Sequence, residues 1–333
     1  MDGLVVTAPS TVRGLVINRF QAAFLGGGGN GIVLQPTSGG SVLLDNRIGT
    51  NAAGSAALGN GAAGVLVLNS SGNRIGATAA GEVGNLVSGN GDGIRLSGTL
   101  ASHNTVASNR IGTDVPGALD LGNLGDGIAL IGANGTNVVS GTQLQVISGN
   151  GGNGITIASA ASGNWVAGNR IGTDVTGSLD LGNDSDGVEI SSATGNRVGG
   201  GNVISGNGVN GVLLISNAGD NVVRANFIGT DASGTVALPN SGNGVIVSGA
   251  NGNTIGGAGT GEGNLISGNG TNGVRLRSGA SGNVVQGNRI GTNLPRAGAL
   301  PNGEHGVQLN DGAVNNLVGG PLAADRKWIQ GNA

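Results

Sequence analysis

The sequence contains no cysteine and no tyrosine, two tryptophans and three phenylalanines, and only 10% of its 333 residues are charged. Without cysteine, no disulfide framework and no thiolate metal site can form. A bacterial secreted protein that needs no disulfides fits this, although the absence does not fix the compartment. The net charge is −3, and no basic stripe follows the chain, so nucleic acid is not an expected partner. No apolar run reaches the roughly 18 residues that would span a bilayer, so membrane insertion is not expected. Nor is a signal peptide legible: Met1-Asp2-Gly3-Leu4 leads directly into a strand-like run. That start suits a cytosolic protein or a segment of a longer precursor.

What is abundant is glycine, 73 residues, which with 7 prolines makes up close to a quarter of the chain. Such a composition without a period signals disorder. Here there is a period. The stretch Asn169-Arg170-Ile171-Gly172-Thr173-Asp174 returns with variations at Asn46, Asn109, Asn226 and Asn288, so that successive copies begin 63, 60, 57 and 62 residues apart. A repeat of this kind builds a solenoid in preference to two globular domains, and a single domain over residues 1–333 is expected.

Each long unit contains three shorter markers in constant order. One is glycine followed by apolar-x-apolar, as in Gly93-Ile94-Arg95-Leu96. The second is asparagine before an alternating pair, as in Asn104-Thr105-Val106. The third is Asn-x-Ile, as in Asn202-Val203-Ile204. Each reads as a short strand bounded by Gly and Asn. No helical pattern lies between them to supply crossovers. An all-β coil with three short strands per turn satisfies these limits, each strand stacking in parallel on its counterpart one turn later.

The third-strand core positions run from Ile17 through Ile48, Val87 and Ile111 to Ile329 and give about eleven rows. At about 4.8 Å per row the rod is on the order of 50 Å long. Asparagine at the corners is expected to tolerate left-handed backbone angles and to stack as an amide ladder. Coils alternate in length, so one edge should carry a protruding loop after Ile-Gly-Thr on every second coil. Neither end shows a polar cap, which points to a fragment of a longer repeat protein or to end-to-end self-association.

The run Asn-Arg-Ile-Gly-Thr-Asp-x-x-Gly-x-x-x-Leu, with Asn-x-Ile-Gly-Gly and Gly-Asn-x-Ile-Ser-Gly-Asn, resembles the right-handed parallel β-helix repeats of large bacterial secreted or surface proteins in the pectin-lyase-like superfamily. The resemblance covers the whole chain. It implies a single-stranded right-handed parallel β-helix and a secreted or cell-surface location. It does not choose among polysaccharide lyases, hydrolases, epimerases, tailspikes and proteins without activity.

Carboxylates are the first candidates for chemistry. Asp114, Asp120 and Asp126 recur as Asp174, Asp180 and Asp186, an oxygen-rich pattern able to hold calcium, though Asp is also a turn residue. Asp92 and Asp126 precede the same strand in adjacent coils, at the ~5 Å separation of a retaining glycosidase pair. With Asp186 and Glu189 they are the weak catalytic candidates. An outward row of Arg47, Arg110, Arg170 and Arg289 can meet the carboxylates of an acidic polysaccharide, or can simply neutralise the Asp loops. Trp165 and Trp328 face outward and can stack on a sugar ring. His103 and His305 lie too far apart to share a metal. No cofactor is required by any of these, calcium being the one candidate. The expected role is a non-catalytic rod that spaces, adheres or binds carbohydrate. The alternatives are a polysaccharide-active enzyme and a self-stacking filament segment.

Overall fold

The fold follows from short strands whose alternate residues are aliphatic and whose ends are Gly or Asn. A computed structural model describes residues 1–21, 28–294, 298–320 and 328–332. It forms a right-handed parallel β-helix with three strands per coil, the architecture implied by the resemblance. Eleven strands from Leu4–Val6 to Val307–Leu309 form the first sheet. The second and third columns are joined into one 20-stranded sheet. The join arises because Val138–Ile147 and Trp165–Ile171 run unbroken through the corner between them. Pairing is parallel and in register, for example Ile94↔Ile128 and Ile171↔Ile204.

The core is an aliphatic cylinder. Leu96, Val106 and Ile111 from one coil are all fully buried, as are their counterparts Leu130, Val139 and Ile147 in the next. A fourth inward column turns the corner between the first and second strands, where only a small side chain fits. It holds Ser38 and Ser70, joined at 3.1 Å, and then alanine from Ala101 to Ala280.

Side-chain amide ladders line the other corners. One runs from Asn46 to Asn288 before the third strand, one from Asn60 to Asn332 after it, and one from Asn73 to Asn316 before the second strand. In each, an Asn donates its backbone N–H and Nδ2 to the Oδ1 of the next coil, as Asn85 does to Asn109 at 2.9 and 3.0 Å. Nδ2 also donates to a main-chain carbonyl of an earlier coil, here Leu43 at 2.9 Å. Gln145 replaces Asn in one rung, where the register shifts. The ladder is as expected, but the left-handed angles are not. The non-glycine residues with positive φ are mostly Ser, Ala, Asp and unladdered Asn such as Asn69 and Asn217. Laddered Asn is therefore selected for its hydrogen bonds alone.

The loops after Ile-Gly-Thr do not protrude. Each closes on itself through an antiparallel bridge such as Thr113↔Asp120 and folds back over the outer face of the third sheet. Successive loops join across two coils: the Val115 N–H donates to Gly54 O at 3.3 Å and the Ala232 N–H to Gly177 O at 2.9 Å. They seal Leu86, Val146, Val203 and Leu265, all 5% exposed or less, although these residues point away from the core. The extra length of alternate coils is also split. A second insertion lies between the second and third strands, at 77–84 and 257–263.

The two ends differ. At the first coil Val6, Val12 and Ile17 are only 6, 9 and 7% exposed, and Phe20 packs against them. In the last row Leu309, Val318 and Ile329 are 44, 41 and 51% exposed at positions that are sealed in the row before.

Candidate functional site

Asp92, Asp126 and Asp186 share one position, immediately before the first strand, and form rungs of a fourth ladder. Its polarity is reversed. Asn153 N–H donates back to Asp126 Oδ1 at 2.9 Å, and Asn210 donates both N–H and Nδ2 to Asp186 Oδ1 at 2.8 Å. Asp126 N–H donates to Asp92 Oδ1 at 3.2 Å. A rung here must accept, whereas rungs of the other ladders must also donate. A carboxylate, which only accepts, is compatible with the first task and not the second.

The candidate catalytic residues are thus brought together, but as ladder members. Arg95 lies 3.3 Å from Asp92, and Glu189 Oε2 accepts from Asn153 Nδ2 at 2.8 Å. Burial pushes the Asp126 carboxyl up. Thr156 and Asn153 oppose the rise, while the charges of Asp92 and Glu189 add to it. Burial likewise raises Asp186 against its bonds from Asn210.

Both carboxyls hold a proton more tightly folded than unfolded. Stability is therefore gained as pH falls through the raised values and lost as pH rises across the window above the ordinary carboxylate pKa. Asp126→Asn and Asp186→Asn are expected to raise the urea midpoint at neutral pH, with the gain fading toward about pH 4. A midpoint difference that does not change with pH would refute a buried, ionised rung.

The other candidate carboxylates, Asp114, Asp120, Asp174 and Asp180, serve the loops. Asp114 Oδ1 accepts from Ala118 and Leu119 N–H at 2.9 and 3.0 Å, and Asp174 repeats this with Ser178 and Leu179. Burial alone would raise Asp174, but the Thr176 hydroxyl and these N–H groups hold it below the usual range. Asp120 and Asp180 each accept from the glycine two residues on. Among the described residues no three of His, Asp and Glu converge as a metal site would require.

The arginine row is not an open face. Arg47, Arg110, Arg170 and Arg289 are half-buried, and glycines of the folded-back loops lie over three of them, Gly117 on Arg110 and Gly177 on Arg170 among them. Arg110 Nη1 donates to Leu144 O at 2.6 Å. Burial lowers the Arg110 and Arg170 pKa values, with Asp114 and Asp174 opposing.

Trp165 is more accessible, 40% exposed on the second sheet. Its Nε1 donates to Gly199 O at 3.3 Å, and the Arg197 guanidinium carbon lies 5.6 Å from the ring centroid. The Trp328 side chain lies outside the described residues.

The insertions at 77–84 and 257–263 were legible only as the paired Gly-Glu runs ending in Gly84-Asn85 and Gly263-Asn264. Glu82 lies 2.5 Å from Arg74, which with the Thr78 and Ala79 N–H groups holds its pKa at about 2. Glu262 forms its ion pair with Arg224 of the preceding coil.

No protein-family model matches the chain, and no curated protein matches it in sequence. Solved structures do resemble it. The A-module of Azotobacter vinelandii mannuronan C-5 epimerase AlgE4 is 15% identical with a TM-score of 0.38, covering 87% of this chain and 91% of its own. The Dettilon tailspike protein is 18% identical with a TM-score of 0.46, over 92% of this chain and 61% of its own. Tailspike protein 2 of the Escherichia coli bacteriophage CAB120 is 11% identical with a TM-score of 0.47 and covers 84% of this chain. The chain thus spans nearly the whole epimerase module but only 38% of that last tailspike.

Proposed function

We propose that the chain is a non-catalytic rod of the cell surface or extracellular space, one that spaces or adheres and contacts glycan on the second-sheet face around Trp165. One observation carries this: the ladder hydrogen bonds run past the candidate carboxylates without a break. Asp92, Asp126 and Asp186 each spend an oxygen on the next coil, and Asp114 and Asp174 close their own loops. A catalytic pair needs an acid and a base free to face a substrate. Trp165 supports the glycan contact, because an exposed ring held in place by Gly199 and Arg197 offers a flat apolar surface at little entropic cost.

The test is incubation of the purified chain with immobilised neutral and acidic polysaccharides, with calcium or with chelator. Protein depletion and new chain ends are both measured. Retention without new ends is expected, and Trp165→Ala should lower it about fivefold while shifting stability by less than about 1 kcal/mol. New chain ends that disappear in Asp126→Asn would establish an enzyme instead. Loss of retention in chelator would return the Asp loops to consideration as calcium ligands. Sedimentation of the same samples reads end-to-end association.

A further inference from the structure

A cavity of about 300 Å³ lies where the 77–84 insertion meets the third sheet, and its walls include Asp45, Arg47, Glu82, Leu86, Arg110 and Val115. That volume is at the lower end for small-molecule sites. Leu86 lies between Arg47 and Arg110, its register partners in the preceding and following coils. Val115 arrives from the folded-back loop above. The exposed apolar surface of the cavity comes from Val83 and Val115, with Arg47 and Arg110 also in the wall. The charges balance locally: Glu82 is paired with Arg74, Asp114 sits beside Arg110, and Asp45 and Arg47 are both in the wall. Arg47 and Arg110 supply the donors of the wall and Asp45 an acceptor.

The equivalent corner further along the rod has different walls. There the same Gly-Glu insertion places Glu262 on Arg224, but Ala225 and Phe227 stand where Asp45 and Arg47 stand. The Phe227 ring packs with Leu265 and Leu294 beneath Gly234. One corner has apolar residues at these positions, and its homologue within the same chain carries a polar-walled cavity.

We propose that this cavity is a sugar subsite that takes one neutral hexopyranose unit. Val83 and Val115 would meet the C–H face of the ring, Asp45 would accept from its hydroxyls, and Arg47 and Arg110 would donate. A hexuronate would add a charge that the balanced wall does not compensate. The assignment rests on the carbohydrate role proposed above and gives that role a specific pocket.

The experiment is titration of the full chain with methyl glucoside, methyl galactoside, methyl mannoside and free glucuronate, followed by calorimetry and by the Val83 and Val115 methyl resonances. At least one neutral glycoside should saturate and shift those methyls. The double variant Asp45→Ala/Arg47→Phe copies the residues of the other corner, so it should keep the fold while weakening binding more than about tenfold. Trp165→Ala should leave monosaccharide binding intact while reducing retention on polymer. Absence of saturable binding, a double variant that binds like the parent, or a preference for glucuronate would each overturn the subsite. If the glycosides fail while polymer retention still depends on Trp165, the pocket falls and the glycan-binding role stands. If the double variant does not fold, the methyl shifts of the parent chain decide alone.

Discussion

Asn264→Ala should be among the most destabilising single substitutions in the rod. Asn264 Oδ1 accepts from the backbone N–H and Nδ2 of Asn226 at 3.1 and 2.9 Å, and its Nδ2 donates to Val223 O and Asn288 Oδ1 at 2.8 and 2.9 Å. The residue is 1% exposed, so alanine strips a buried partner from the Asn226 N–H, Asn226 Nδ2 and Val223 O, while Asn288 Oδ1 keeps the N–H of residue 264. Each orphaned group costs about 1–3 kcal/mol, and with partial relaxation the total should exceed about 3 kcal/mol. Asn264→Asp should be nearly as harmful, since it restores the acceptor but removes both donations. Urea unfolding followed by circular dichroism checks both. A loss below about 1 kcal/mol for Asn264→Ala would mean that water reaches the corner and that the ladder contributes little.

Gly172→Ala should be comparably severe for a different reason. Gly172 has φ +82°, a left-handed conformation that costs an L-residue about 1–2 kcal/mol. An added Cβ would also lie 2.2 Å from Ser205 O and 2.5 Å from Asn207 Oδ1 in the next coil. The first is backbone, so relief requires separating two coils, at a further cost of about 1–3 kcal/mol. The expected signature is a lowered unfolding midpoint with faster amide exchange centred on the coils holding Ile171 and Ile204. Exchange unchanged in those coils would show that the turn adapts without parting the stack. The motif Ile-Gly-Thr repeats because its glycine must pass beneath the neighbouring Asn ladder.

Much of this was legible from residue order. Strand positions, the parallel stacking and the aliphatic columns follow from period-2 alternation and from spacings between Asn, Gly and Ile, because a coil pairs each residue with its counterpart one turn later. Asn ladders were legible for the same reason. The candidate site was less so. Asp92, Asp126 and Asp186 align in sequence whether they are catalytic or structural, and only the direction of the hydrogen bonds identifies them as acceptor rungs. Arg47, Arg110, Arg170 and Arg289 were correctly placed on the outer side of the third sheet, but outward was not the same as open to solvent.

The sequence by itself determined the solenoid, its three columns and the composition of its core, because those depend on local alternation and a single translation along the rod. Tertiary structure alone decided what covers the third sheet, which end is sealed and where a cavity opens. Those outcomes depend on contacts that the repeat does not encode. Val115 reaches Gly54 two coils away, Phe20 packs against the first coil, and Asp45 with Arg47 makes polar the walls of a cavity at a corner where the homologous positions hold Ala225 and Phe227.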